Sequence, residues 1–413
     1  MKLVVFTPHF APDTAPTGTV LTRIVEELAS RGHEIEVITA LPWYREHKIE
    51  PGYRGRLLRR EDTPWGRIAR LHPFPTSDKL SILKRAFSFA GFTALAGLAG
   101  IRREGADIVL AVSPPLSLGI DGWLTARARK ARFVFNVQDV YPDVAVELGA
   151  LRDRRAIVAA HKLERFCYER ADAITVLSDD LKDNLSVKTT RPEKIHVIPN
   201  FVDTNFIRPL QRDNSYRHEF GLDGKTVVMY AGNVGLSQSL DLLVDAAAAS
   251  TDDNDLAFVI NGQGAARAEL EKKARGLPNL VFVDAQPYER LPEVLAAADI
   301  HVVPLKQGLA RSSVPSKTYS ILAAGRPIVA SVDTGSEIAR LLERAGAGLA
   351  TPPEDPESFT KALRQLIESH EERERMGSNG RTFVEGWASP AAVAAAYEEL
   401  FLALIGDEKP GYD

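Results

Sequence analysis

Two doubly wound α/β domains, each a parallel sheet covered by helices, are the fold class this sequence predicts. Three observations predict it. Short β-branched runs alternate with longer helical patterns along almost the whole chain. Several of those runs are apolar on both faces, as strands of a buried parallel sheet must be. The alternation breaks once, in VIPNFVDTNFIRPLQRDNSYRHEF, where proline, asparagine and aspartate cluster before a new strand begins at residue 226.

Before the break the predicted strands are KLVVFT (2–7), EIEVIT (34–39), DIVLAV (107–112), RFVFNV (132–137), AITVLS (173–178) and KIHVIP (194–199). After it come TVVMYAG (226–232), LAFVIN (256–261), LVFVDA (280–285), IHVVPL (300–305) and PIVASV (327–332). Helical patterns at 18–31, 238–250, 264–275, 288–298 and 356–369 lie between them. Repeated β-α-β units require parallel sheets with helices on both faces, and eleven strands divide more naturally into two sheets than one. The expected domains are residues 1–203 and 204–385, with 386–413 a terminal helix returning to the first domain. Ligands of doubly wound sheets bind beyond the C-terminal strand ends, so a cleft between two such domains is the expected site.

The 413 residues suffice for two domains with sizeable cores. Cys167 is the only cysteine, which excludes an intrachain disulfide and a cysteine metal cluster and fits a reducing cytoplasm. MKLVVFTPHF reads as a first strand and lacks the long apolar core of a secretion signal. Residues 1–200 carry 30 Lys and Arg against 24 Asp and Glu, and the remainder carry 21 against 31. The basic first half points to an anionic partner: a membrane surface, a phosphate-bearing substrate or nucleic acid. No recognisable nucleic-acid module accompanies it. The nine histidines are scattered without an H-x3-H pair, so no metal site is expected. His9, just beyond the first strand, reads either as a lining residue or as a structural one.

RSSVPSKTYSILAAGRPIVAS (311–331) imitates a nucleotide-binding P-loop but fails it, because Arg311 and Ser316 stand where both glycines belong. What remains is a strand, a loop and a helix start with Pro315 in its first turn. A helix N-terminus offers free N–H groups to an anion, and Lys317 and Arg311 add full charges. An ordinary capped helix with a solvated lysine is the competing reading. Three other strand-end turns carry glycines: Gly232 and Gly235 around Asn233, Gly262 with Gly264, and Gly18 at the start of the first helix. Glycine there lets a backbone approach a phosphate closely.

With these pieces together the chain resembles a family-four glycosyltransferase of the retaining, GT-B type. The resemblance rests on GTVLTRIVEELASRGHEIEVITALP, ERADAITVLSDDLKDNL, PEKIHVIPNFVDTNFIRP, VVMYAGNVGLSQSLD, VINGQGAARAELE and VPSKTYSILAAGRPIVAS. YAGNVG and VQDVYPDVAVELGAL are most similar to the WbuB-like branch, associated with fucose-type or amino-sugar transfer into bacterial surface polysaccharides. The resemblance implies a UDP- or GDP-linked sugar on the C-terminal domain and the acceptor on the N-terminal domain, with no cofactor required. It implies Gly18, Asn233, Gly235 and Lys317 around the diphosphate, Gly262 and Gly264 near the base, and Ser316 and Ser320 as further donor-binding residues. Tyr288 is either a base-stacking ring or a packed loop aromatic. Asn200 and Asp203 mark a hinge or serve turn chemistry.

The departures from that family matter as much. Its E-x7-E pair falls at Ser312 and Ser320, neither acidic, and its cations after strand 226–231 are replaced by Asn233 and the Ser237–Gln238 region. Gln138 and Asp139 stand where a histidine commonly ends strand 132–137. Asp139 is the candidate base or sugar-orienting group, or else a strand-end cap. Gln138, Asp143 and Glu147 are secondary candidates on the acceptor side. A sugar-nucleotide epimerase of the same fold and a non-catalytic nucleotide-sugar binder are the alternatives.

Segment 79–103 holds a 16-residue uncharged run, 86–101, between basic residues. It is short of the roughly 20 apolar residues a spanning helix needs. It reads as a core helix or as a helix lying in a membrane interface, with Arg54, Arg56, Arg59, Arg60, Arg67 and Arg70 adding basic surface. A polyprenyl-diphosphate-linked acceptor at the cytoplasmic membrane face accounts for both the charge and the apolar run.

Overall fold

A computed structural model describes residues 1–45, 48–75, 82–101, 105–147, 151–308 and 316–406. The chain forms two compact units, Met1–Asn200 together with the chain from Val393, and Phe201–Ala392. Residues 201–203 and 386–392 thus both belong to the second unit. Val202 N–H donates to Ala388 O at 2.9 Å, tying the two stretches together.

The first unit contains β1 (Lys2–Phe6), β2 (Glu34–Ala40), β3 (Leu58–Thr63), β4 (Gly66–Leu71), β5 (Ile108–Ser113), β6 (Arg132–Val137), β7 (Ala173–Val176) and β8 (Ile195–Val197). They form one sheet in the order β3-β4-β2-β1-β5-β6-β7-β8. Only the β3–β4 pair is antiparallel. The central strands β5 and β6 are buried along their whole length, which explains why their sequences carry no polar alternation. Phe6, Phe133, Phe135 and Tyr168 fill the core, and Phe92 and Ala96 of the helix Ile82–Ile101 pack into it.

The second unit contains β9 (Thr226–Ala231), β10 (Leu256–Asn261), β11 (Leu280–Val283), β12 (Ile300–Pro304), β13 (Ile328–Ser331) and β14 (Gly348–Thr351), ordered β11-β10-β9-β12-β13-β14 and parallel throughout. Tyr230, Phe258, Ile260 and Phe359 fill one face of its core.

Strands β3, β4 and β14 are additions to the sequence reading. The β3–β4 hairpin also corrects the assignment of Arg70 to a basic surface. Arg70 is only 2% exposed. Its guanidinium donates to Glu61 Oε2 at 2.8 Å, Ala11 O at 2.6 Å and Phe10 O at 3.4 Å. It is an internal clamp on the loop that follows β1.

Both sheets reverse winding direction beside their first strand. In the first unit β1 lies between β2 and β5, and in the second β9 lies between β10 and β12. At such a switch point the flanking loops diverge to opposite faces and leave a crevice at the C-terminal strand ends.

Candidate functional site

The switch point of the second unit is built by two loops that extend the sheet beyond its strands. Past β9, Gly232 N–H donates to Asn261 O and Val234 N–H to Gln263 O, each at 2.9 Å. This contact explains two of the sequence-predicted glycines. A Cβ on Gly262 would collide with Gly232 O, and one on Gly264 would collide with Val234 O and come within 2.9 Å of Asn233 Oδ1. Both have positive φ, +151° and +159°. They are glycines because two backbones touch there, whatever else they contact. The loop is joined to the far side of the switch point as well, since Lys306 N–H donates to Ser237 O at 3.1 Å and Ser239 N–H to Pro304 O at 3.4 Å.

Among the described residues, the N–H groups of Asn233, Leu236 and Ser237 donate to no protein acceptor. The hydroxyl of Ser239 is buried without a hydrogen-bond partner, as is that of Thr318. Fixed, unsatisfied donors at the end of a parallel sheet are what an anion site consists of.

Lys317 supplies the charge. It lies in the first turn of the helix Ser316–Ala323, and its ammonium reaches the β9 loop. Nζ donates to Tyr230 Oη at 2.8 Å and to Gln238 Oε1 at 3.3 Å, and it sits 4.3 Å from the centre of the Tyr230 ring. Tyr230 Oη in turn donates to Asn233 O at 2.6 Å. Among the described residues no carboxylate pairs with the ammonium, and burial lowers its pKa to about 8. The positive charge thus faces the loop where Asn233, Ser237 and Gln238 replace cations. Tyr230 and Gln238 escaped the sequence reading as partners of Lys317, because the pairing joins residues 87 and 79 positions apart.

The other donor-side candidates are placed less informatively. Arg311 and Ser312 lie outside the described residues, as does the side chain of Ser316. Ser320 is half-buried on the same helix as Lys317. The Asn233 side chain is exposed and Gly235 folds against it, with Gly235 N–H donating to Asn233 O at 2.9 Å. Tyr288 is 65% exposed, but one face is stacked on Phe206 at 4.9 Å between centroids. Burial against that ring and the nearby Asp203 carboxylate raise its pKa. Only its other face is open to a base. Asp203 Oδ1 accepts from the N–H groups of Asn205 and Phe206 at 2.9 and 3.0 Å, which is turn chemistry.

In the first unit, Gln138 is buried and engaged on two sides. Nε2 donates to Asn136 Oδ1 at 2.7 Å, and Oε1 accepts from Asn200 Nδ2 at 2.9 Å. Asn136 Nδ2 continues the network to Thr175 Oγ1 and Tyr397 Oη, both at 2.9 Å. Gln138 therefore locks Asn200 and the C-terminal helix Pro390–Gly406 to the strand ends. Asp139 follows directly, exposed at its surface. Partial withdrawal from water raises its carboxyl pKa. Asp143 accepts from Lys188 Nζ at 2.6 Å, and the same ammonium reaches Glu164 at 3.0 Å. The side chain of Glu147 lies outside the described residues.

Asp143, His161 and Glu164 also lie close enough together to hold a metal ion. Lys188 already supplies the cation for those carboxylates, so the group reads as an ion-pair network. A second group, Asp213, His218 and Asp223, is exposed, with His218 paired to Asp223 at 2.7 Å.

Comparison with known proteins agrees with this architecture. The model of the glycosyl transferase 4-like domain matches residues 17–200, and that of the group 1 glycosyl transferases matches residues 225–369. The chain is 31% identical over 381 residues to a protein of Escherichia coli K12 described as a colanic acid biosynthesis glycosyl transferase, WcaI, covering 89% of this chain and 92% of that one. Sucrose-phosphate synthase from Thermosynechococcus elongatus has the same fold, at 17% identity and a TM-score of 0.70, over 98% of this chain and 99% of that one. HepE from Anabaena, solved in complex with UDP, superposes at 14% identity and a TM-score of 0.66, over 98% and 100%. The chain belongs to the family-four glycosyltransferases of GT-B fold.

Proposed function

We propose that this glycosyltransferase moves a sugar, with retention of configuration, from a UDP- or GDP-linked donor to a lipid-linked saccharide during assembly of a bacterial surface polysaccharide. The observation that carries the donor side is the Lys317 ammonium, held by Tyr230 and Gln238 and, among the described residues, without a carboxylate partner, together with the N–H groups left unsatisfied there in the loop at the switch point of the second unit. As the sugar bond breaks, negative charge builds on the leaving diphosphate. Donors fixed in advance stabilise that charge more than they stabilise the ground state. Lys317 and the loop 232–238 perform this role. The departing phosphate oxygen takes the proton of the attacking hydroxyl, and Asp139 orients the sugar.

The acceptor side rests on the first unit. UDP in the HepE complex and the polysaccharide named for WcaI support the reading by likeness. Fucose-type and N-acetylated amino sugars are the first donors to test. Leu57 and Leu98 are exposed and line one pocket with Arg60 and Arg67 of the hairpin, which supports peripheral contact with an anionic membrane.

Incubation with nucleotide sugars and a polyprenyl-diphosphate-linked acceptor tests the proposal, with glycosylated lipid as the expected product. Interconversion of the sugar nucleotide would identify an epimerase instead, and binding without turnover a non-catalytic receptor. Lys317→Ala and Asp139→Ala are expected to lower turnover in folded protein; wild-type rates in both would remove these roles. Flotation with anionic liposomes at low salt tests the membrane contact, and failure to float would count against it.

A further inference from the structure

The loop after β1, at the switch point of the first unit, holds a side-chain arrangement separate from the Lys317 site of the second unit. His9 Nδ1–H donates to Asp13 Oδ2 at 2.7 Å. The Asp13 side chain is 1% exposed, and its other oxygen accepts from Tyr44 N–H at 3.2 Å. A carboxylate on Nδ1 fixes the ring orientation and the tautomer, leaving the Nε2 lone pair available. Among the described residues, no protein group bonds to Nε2. The His9 side chain is 16% exposed, and Nε2 is not sealed from solvent.

The surroundings hold this dyad in place. Arg70 clamps the carbonyls of Phe10 and Ala11, Thr22 Oγ1 accepts from Ala11 N–H at 2.9 Å, and Thr7 Oγ1 donates to His9 O at 2.9 Å. Gly18 belongs to the same construction. A Cβ there would lie 2.8 Å from His9 Cβ and 3.1 Å from the His9 carbonyl carbon. The helix Pro16–Ser30 carries a glycine at this point because His9 occupies the space. Two aromatic rings complete the site: Trp43 stacks beside the imidazole at 5.7 Å and 28°, and Tyr44 stands edge-on at 5.4 Å. Tyr44 is 41% exposed.

An imidazole with one nitrogen anchored and the other open, flanked by a tryptophan and a tyrosine, matches the chemistry of a sugar ring. The hydroxyls need a hydrogen-bond partner, and the C–H faces pack on aromatic surface. We propose that His9, Trp43 and Tyr44 form a saccharide subsite on the first unit, with His9 Nε2 accepting a hydrogen bond from an acceptor hydroxyl. The assignment of this sugar to the acceptor rests on the function proposed above. Asp13 is the positioning residue that holds His9 in register.

The test is a titration followed through the imidazole C2–H signals, at pH 7.5, with octyl glucoside, galactoside, mannoside and N-acetylglucosaminide. The His9 signal is assigned by its disappearance in His9→Gln. At least one glycoside is expected to shift that signal saturably. Trp43→Ala is expected to weaken this binding tenfold or more, and Asp13→Asn to weaken it measurably. UDP and GDP binding are expected to be unchanged in all of these variants. If none of the four glycosides moves the His9 signal, or if the shift is identical in Trp43→Ala, the subsite is overturned. Failure of the wild-type protein to bind UDP or GDP would strike the donor assignment and leave this result intact.

Discussion

Lys317 is expected to make donor affinity depend on pH. Burial brings its ammonium to about pKa 8 in the free protein, and among the described residues no carboxylate stands by to hold the proton. Between pH 7.5 and 9.5 its protonated fraction falls from about 0.8 to about 0.03. If only the ammonium form grips the diphosphate, the apparent Kd rises roughly 25-fold, or about 1.9 kcal/mol, across those two units. Stabilisation by the bound anion raises the Lys317 pKa in the complex, which is why the dependence belongs to the free protein. Calorimetric titration with UDP and GDP across this range measures it. Lys317→Met is expected to bind weakly with a flat profile. Lys317→Arg is expected to be flat and tighter than Lys317→Met, because a guanidinium keeps its charge throughout. A flat wild-type profile, or a Lys317→Met profile that matches wild type, would refute the reasoning.

Gly262→Ala places a methyl group against Gly232 O at a positive φ, so it is expected to cost about 1–3 kcal/mol of stability and to weaken UDP or GDP binding. Thermal unfolding with a parallel titration checks it. Asp121 is 4% exposed with Oδ2 unpartnered, and burial raises its pKa to about 8. A raised carboxyl pKa means that stability is greatest below the unfolded value near 3.8 and declines as pH rises towards 8. Asp121→Asn is therefore expected to match wild type near pH 4 and to exceed it by up to about 4 kcal/mol at pH 7; denaturant curves at the two pH values decide. Asp299 is buried, yet the N–H of Val227 and the guanidinium groups of Arg212 and Arg217 hold its pKa down. Its contribution is present above the unfolded pKa and is lost as pH falls below it. Asp299→Ala is expected to destabilise the protein by about 3–5 kcal/mol at neutral pH, read from the same curves.

The two doubly wound sheets were legible because buried parallel strands announce themselves as apolar runs such as RFVFNV and LAFVIN. The β3–β4 hairpin was not, because LRREDTPWGRIARL alternates charge with apolar residues at a sheet edge and so reads as basic surface. Strand β14 is four residues long and opens on a glycine. At the proposed donor site the turn glycines and Lys317 were visible, but the reasons differed. Gly262 and Gly264 are required by the β9 loop lying against their backbone, and Gly18 by His9. No local pattern could reveal Tyr230 and Gln238 as the hosts of Lys317, since that contact depends on how distant strands order themselves in the sheet. The same holds for the chain of amides from Asn200 through Gln138 and Asn136 to Tyr397, which spans most of the sequence.

A crystal structure with UDP or GDP bound tests the central claim most directly. The diphosphate is expected within about 3 Å of Lys317 Nζ and of backbone N–H groups in the loop 232–238. A diphosphate seated elsewhere, with Lys317 still held on Tyr230 and Gln238 and the loop amides empty, would contradict it.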